Sequence, residues 1–219
     1  MEVLYNIHNL TRLLQGTGVS FSIALVSIAC SIVIGIVVGL MMVSSSRVLR
    51  IACKLYLESV RLIPILALLY VCYFGLPQLL DISLSNIAVA VLVFSFWGGA
   101  EMADLVRGAL QSVDKHQKEA ALSLGLSPLS VQLFVILPIA NKRLLPGLIN
   151  LFTRLIKTTS LLLFIGIADM LQVGRQIIEV NRSIPTAAFA VYGALLVGYF
   201  AMCFPLSRLA KSLEAKDKS

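Results

Sequence analysis

From Thr17 to Val43 the chain carries no charged side chain. At about 20 residues per crossing, such a run spans the hydrocarbon of a bilayer. Its serines bond back to the carbonyls of their own helix and need no partner elsewhere. It is too long for the apolar region of a signal peptide, and no small-residue cleavage site follows, so it is expected to persist in the mature protein. Comparable runs recur through all 219 residues, of which 58% are hydrophobic and 13% charged. With a mean hydropathy of +0.93, too little polar surface remains to cover a water-soluble core. The ten-residue alternation of barrel strands is absent. The sequence therefore predicts an all-α integral membrane protein.

Five spans are expected in a single transmembrane domain over residues 1–219: 17–43, 55–74, 87–107, 144–167 and 187–206. Met1 to Gly16 is mixed in polarity and is expected to lie at an interface, with Leu4, Tyr5, Leu10, Leu13 and Leu14 as an apolar stripe. Gly35 and Gly39, four apart, permit close approach of another helix. In span two, Glu58 and Arg61 stand three apart and read as a structural ion pair. Pro64 just beyond them kinks or unwinds the helix, freeing backbone groups that lipid cannot satisfy, so this region is expected to face protein or a water-filled path. Span three is interrupted by Trp97, Gly98 and Gly99; Trp97 either packs against its neighbours or acts as an aromatic gate. In span four, Asn150, Arg154, Lys157 and Thr158 share one helical face, and charges placed there are expected to meet a bundle or an aqueous cavity. Asp169 to Arg182 reads as a polar loop with room for a short helix.

The net charge of +7 does not indicate nucleic acid, because the cations stand in short clusters beside apolar spans instead of along one face. They read as topology signals. Arg47, Arg50, Lys54, Arg107, Lys115, Lys118, Lys142, Arg143 and the tail cations Arg208, Lys211, Lys216 and Lys218 fall on one side, and Arg12, Arg175 and Arg182 on the other. The excess of positive charge predicts an outside N-terminus and a cytoplasmic C-terminus. Cys30, Cys53, Cys72 and Cys203 form no CxxC or His/Cys grouping, so no metal or redox centre is expected.

The polar stretch over residues 112–138 is too long and too regular to be a mere connector. Asp114 can cap a helix beginning at Lys115, with Gln117 at the third helical position as in a capping box. Gly125 can end that helix in the left-handed conformation. Glu119 falls on the exposed side, and Ala120 and Ala121 keep the surface small enough for a close partner. Leu129 to Leu137 is too short to span and is interrupted by Pro138, so it reads as a return along the membrane surface, with span four starting near Leu144.

Glu119, Ala120 and Ala121, then Gly125, Val135, Leu137 and Pro138, stand at a spacing that resembles the EAA loop of permease subunits in bacterial ABC importers. Glu58 to Pro64, Ala103 to Gly108 and Asn150 to Gly166 are similar to segments of the polar amino acid branch, the histidine and glutamine permease-like family. The resemblance covers about Val19 to Leu209. It implies a type I importer permease fold in the bacterial cytoplasmic membrane and a role in transport, not catalysis. It also implies a cytoplasmic ABC ATPase dimer, a second permease subunit, identical or related, and an extracytoplasmic amino-acid-binding protein as partners. ATP and Mg would be bound by the ATPase subunits, with no cofactor in this chain, which has no GxxxxGK[ST] phosphate loop. Glu119, Ala120, Ala121 and Gly125 would form the coupling contact with the ATPase. Pro64, Trp97, Asn150, Arg154 and Thr158 are the candidates for the substrate path.

The chain departs from the branch where Leu151 and Thr158 replace commonly acidic residues seven apart on span four. The path then carries less negative charge than usual, which favours neutral or acidic amino acids over strongly cationic ones. Two readings from other classes stand beside the importer: an ion-driven secondary carrier or channel, for which the inverted repeat is missing, and a membrane scaffold whose loop recruits a cytoplasmic partner.

Overall fold

The computed structural model describes residues 6–217, and side chains over 6–215. Leu4, Tyr5 and Lys218 of the sequence reading lie outside the described residues, as does the side chain of Lys216. Every regular element among the described residues is helical. In chain order these are α1 (Ile7–Met42), α2 (Arg47–Leu62), α3 (Ile65–Leu80), α4 (Asn86–Gln111), α5 (Lys115–Ser123), α6 (Pro128–Ile165), α7 (Met170–Val180) and α8 (Ala187–Asp217). Helices α1, α4, α6 and α8 are each long and apolar enough to cross a membrane, and α2 with α3, bent at their junction, counts as a fifth where the pair forms one broken span.

Several boundaries differ from expectation. Span one does not wait for Thr17: α1 is continuous from Ile7. The expected interfacial stripe is divided, for Leu13 is buried while Leu10 and Leu14 are exposed. Span two is two helices whose axis turns by 99° at the break beside Pro64. Pro64 is exposed and extended there, at φ −58° and ψ 127°, because a proline cannot donate into the preceding turn. Span four begins much earlier than Leu144, since Leu129 to Leu137 is helical and continuous with it.

The reason lies in how α6 accommodates Pro138. Residues Gln132–Ile136 form a π turn in which the Leu137 N–H reaches back five residues to the Gln132 carbonyl. A widened turn moves backbone carbonyls out of the ring's way, so the helix passes a proline that would otherwise break it. The same device recurs in α3, where Val71–Gly75 is a π turn and Leu76 again separates it from a proline, Pro77.

The chain divides into two compact units. One comprises Met1–Ala29, Ile63–Ser95 and Phe152–Pro205, the other Cys30–Leu62, Phe96–Leu151 and Leu206–Ser219. The first is centred on a cluster of Leu13, Met170, Val173, Ile177, Val191 and Leu195, joining α1, α7 and α8. Arg12 donates to Gln176 Oε1 at 2.5 Å, and the Met170 N–H donates to Ser20 Oγ at 3.2 Å. Between them in sequence, a Cβ on Gly16 would stand 2.9 Å from the Asp169 carbonyl oxygen. Arg12, Gly16 and Ser20 recur every fourth residue, so one face of α1 holds α7.

In the second unit α1 and α4 pack at glycine. A Cβ on Gly35 would collide with the Met102 side chain, and one on Gly39 would stand 2.9 Å from the Ala103 carbonyl oxygen. These glycines admit the neighbouring helix, as their spacing predicts. Gly98 and Gly99 do not interrupt α4; a Cβ on Gly99 would meet Ile34 at 2.6 Å. Leu57, Val60, Ala100 and Ala103 form a small core against which Trp97 packs, half-buried.

Candidate functional site

The polar stretch folds as a capped helix. Asp114 is extended and its Oδ1 accepts from the His116 N–H at 3.0 Å, so the cap bond goes to the second helical residue instead of to Gln117. At the other end Gly125 takes φ +84°. Its N–H donates to the Leu122 carbonyl at 2.9 Å, and the Leu126 N–H reaches the Ala121 carbonyl at 3.3 Å. This pair of bonds is a Schellman motif, which satisfies carbonyls that the helix end would leave open. Open space surrounds Gly125, so the demand for glycine is set by the backbone angle alone.

One residue further on, Ser127 caps the next helix. Its Oγ accepts from the Ser130 N–H at 3.2 Å, and Pro128 occupies the first helical position, where its missing N–H costs nothing. Helix α5 packs against the start of α6 through Pro128–Val131 and Gln132–Ile136. Arg143 of α6 donates to the Ser112 carbonyl just before α5. The loop is thus held to α6 by this bond and by the packing of α5 on its first turns. Glu119 and Ala120 are exposed, and Glu119 stands 3.8 Å from His116 Nδ1. Ala121, by contrast, is buried within the chain. Of the small residues assigned to a partner's surface, Ala121 instead lets α5 lie close to its own protein.

The expected Glu58–Arg61 pair is not formed. Glu58 faces Lys54 one turn earlier, at 3.6 Å and exposed. The Arg61 guanidinium reaches α4 instead, to Asp104 Oδ2 at 2.6 Å and Glu101 Oε1 at 3.5 Å. Asp104 also accepts from Arg107 Nη2 at 2.5 Å and Nε at 3.1 Å. Two acids on a neighbouring helix outweigh one local carboxylate because they let the planar fork of arginine use several donors at once. Tyr56 strengthens the same α2–α4 contact by donating to the Phe96 carbonyl at 2.6 Å. Spacing along one helix could propose only a local partner for Arg61; Glu101 and Asp104 were visible as acids, but nothing in the sequence joined them to it.

Asn150, Arg154 and Lys157 are exposed along one face of α6, with Leu151, Leu155 and Ile156 buried beneath. Thr158 Oγ1 donates back to the Arg154 carbonyl at 2.9 Å. Among the described residues, no hydrogen bond or ion pair joins Pro64 or Asn150 to the other path candidates.

Asp169 was read only as the start of a loop. It is fully buried and caps α7, accepting from the Gln172 N–H at 2.9 Å and the Leu171 N–H at 3.2 Å. Burial, which penalises the charged form, pushes this carboxyl up to about 6 despite those two bonds. An aspartate ahead of an amphipathic run is a cap signal in sequence, but its burial comes from α1 and could not be read there.

The chain matches, over residues 15–216, the family described as the binding-protein-dependent transport system inner membrane component. It is 31% identical over 207 residues to the glutamine transport system permease protein GlnP of Escherichia coli (strain K12), covering 94% of this chain and 93% of that protein. To the probable amino-acid ABC transporter permease protein YckA of Bacillus subtilis (strain 168) it is 34% identical over 219 residues, covering 98% and 95%. A crystal structure of an amino acid ABC transporter with histidines superposes with a TM-score of 0.86 over 99% of both chains, at 25% identity. The inward-facing MetNI methionine ABC transporter shares the fold, with a TM-score of 0.72 at 19% identity over 93% of this chain and 97% of that one. This multi-pass chain therefore belongs to the inner membrane components of binding-protein-dependent transport systems.

Proposed function

We propose that this chain is the permease subunit of an ATP-driven amino acid importer, lining the translocation path and receiving an ATPase dimer through α5. The observation that carries the reading is the construction of α5: capped at Asp114, closed at Gly125, packed against the first turns of α6 and preceded by Ser112, whose carbonyl accepts from Arg143 of α6. A helix fixed in this way passes a push to α6 as a rigid body, rocking the spans between outward- and inward-open states. Exposed Glu119 and Ala120 present its outer face to the ATPase. In this reading α5 and the C-terminus are cytoplasmic, as the excess of Lys and Arg on their side predicts. A second permease subunit, identical or related, completes the path, and the binding protein delivers the solute from the opposite side. Relatives named for glutamine, with Thr158 where the branch usually has an acid beside the exposed Arg154 and Lys157, support a neutral amino acid.

The test is uptake into proteoliposomes holding this chain with its ATPase and binding protein. Accumulation of a neutral amino acid that requires ATP hydrolysis is the expected result. Uptake that persists without hydrolysis would indicate an ion-driven carrier, and its absence under all conditions a scaffold.

A further inference from the structure

A cavity of about 620 Å³ opens where α1 and α4 end and α5 begins, with Arg50, Lys115 and Lys118 in its wall beside Met42, Leu110 and Ile136. Among the described residues no acidic side chain lines it. None of the three cations makes an ion pair among the described residues, whereas nearby Lys54, Arg61 and Arg107 all do. Three like charges around one space repel each other, and an anion placed there relieves that repulsion. Leu110 also lines a second, smaller cavity of about 110 Å³, which is walled almost wholly by apolar side chains of α1, α4 and α6, among them Ile36 and Leu137.

The ligand chemistry follows from the pairing. A cationic space that shares the Leu110 wall with an apolar one fits a molecule with a phosphate at one end and hydrocarbon at the other. The position agrees, because the ends of spanning helices lie at the level of lipid headgroups. We propose that the Arg50–Lys115–Lys118 cavity binds the phosphodiester headgroup of an anionic phospholipid, whose hydrocarbon lies along the exposed apolar side chains at this end of the spans. The site lies against α5, so its occupant braces the loop from the membrane side. This proposal does not depend on which solute the protein carries.

The experiment is native mass spectrometry of the full chain in a nonionic detergent, with dioleoyl phosphatidylglycerol, dioleoyl phosphatidylcholine or inorganic phosphate added. Three cations give phosphatidylglycerol a preference of about a hundredfold over phosphatidylcholine, and the double substitution Arg50→Gln with Lys118→Gln reduces it to about fivefold. Excess inorganic phosphate leaves the lipid adduct in place. Equal binding of the two lipids by the unaltered chain would overturn the proposal, whether or not the double variant folds. So would an undiminished preference in a folded variant. Displacement of the lipid by inorganic phosphate would assign the cavity to a free anion instead.

Discussion

Asp104 holds two guanidinium groups, and that decides which acids of this chain matter to its stability. Its contacts to Arg61 and Arg107 are short and partly shielded from water, whereas Glu58 meets Lys54 at 3.6 Å with both side chains mostly exposed. Partly buried charged hydrogen bonds are worth about 1–3 kcal/mol, while exposed pairs contribute about 0–1 kcal/mol. Asp104→Ala is expected to lower stability by roughly 1–3 kcal/mol and Glu58→Ala by less than about 0.5 kcal/mol. Thermal unfolding of the purified variants measures both, and a larger loss for Glu58→Ala would refute the assignment. The sequence supplied the right residues but the wrong pairing, because helical spacing reveals neighbours within a helix and is silent about which helix packs alongside.

At the scale of elements, α7 is set by its cap. The Asp169 carboxyl lies outside the candidate spans, and burial raises it from its ordinary 3.8 to about 6. Between those values the folded chain keeps a proton that the unfolded chain has lost. The stabilisation from burying the neutral carboxyl is therefore complete below about pH 4 and falls as pH rises towards about 6. Asn in this position still accepts a cap bond through its single oxygen but does not titrate. The melting temperature of the unaltered chain is expected to include a fall across this interval that Asp169→Asn lacks; identical pH profiles would contradict the account. Other elements differed in how legible they were. Helix α5 could be read almost residue by residue, since Asp114 and Gly125 act through the local backbone. The start of α6 could not, because Pro138 signals a break unless a π turn absorbs it, and π turns leave no reliable mark in sequence. The early start of α1 was hidden by Asn6, His8, Asn9 and Arg12, whose polarity masks a face that holds α7.

For the whole molecule, hydropathy was sufficient to mark four spanning helices, with a fifth span where the bent pair α2 and α3 counts as one. It could not give the contacts that tie α5 to α6, and on these the transport mechanism rests. The account requires that α5 carry the ATPase through its exposed face and its fixed geometry, so that altering either removes the partner and spares the membrane fold. Two substitutions separate these demands: Glu119→Lys reverses a charge on the exposed face, and Gly125→Val forces a branched residue into φ +84° at a position where an added Cβ meets no neighbour. The direct measurement is co-purification of the ATPase subunit with each variant, alongside helical content and elution volume of the chain. The account predicts that both variants keep their fold and lose most of the ATPase; retention of the ATPase at the unaltered level in both would contradict it.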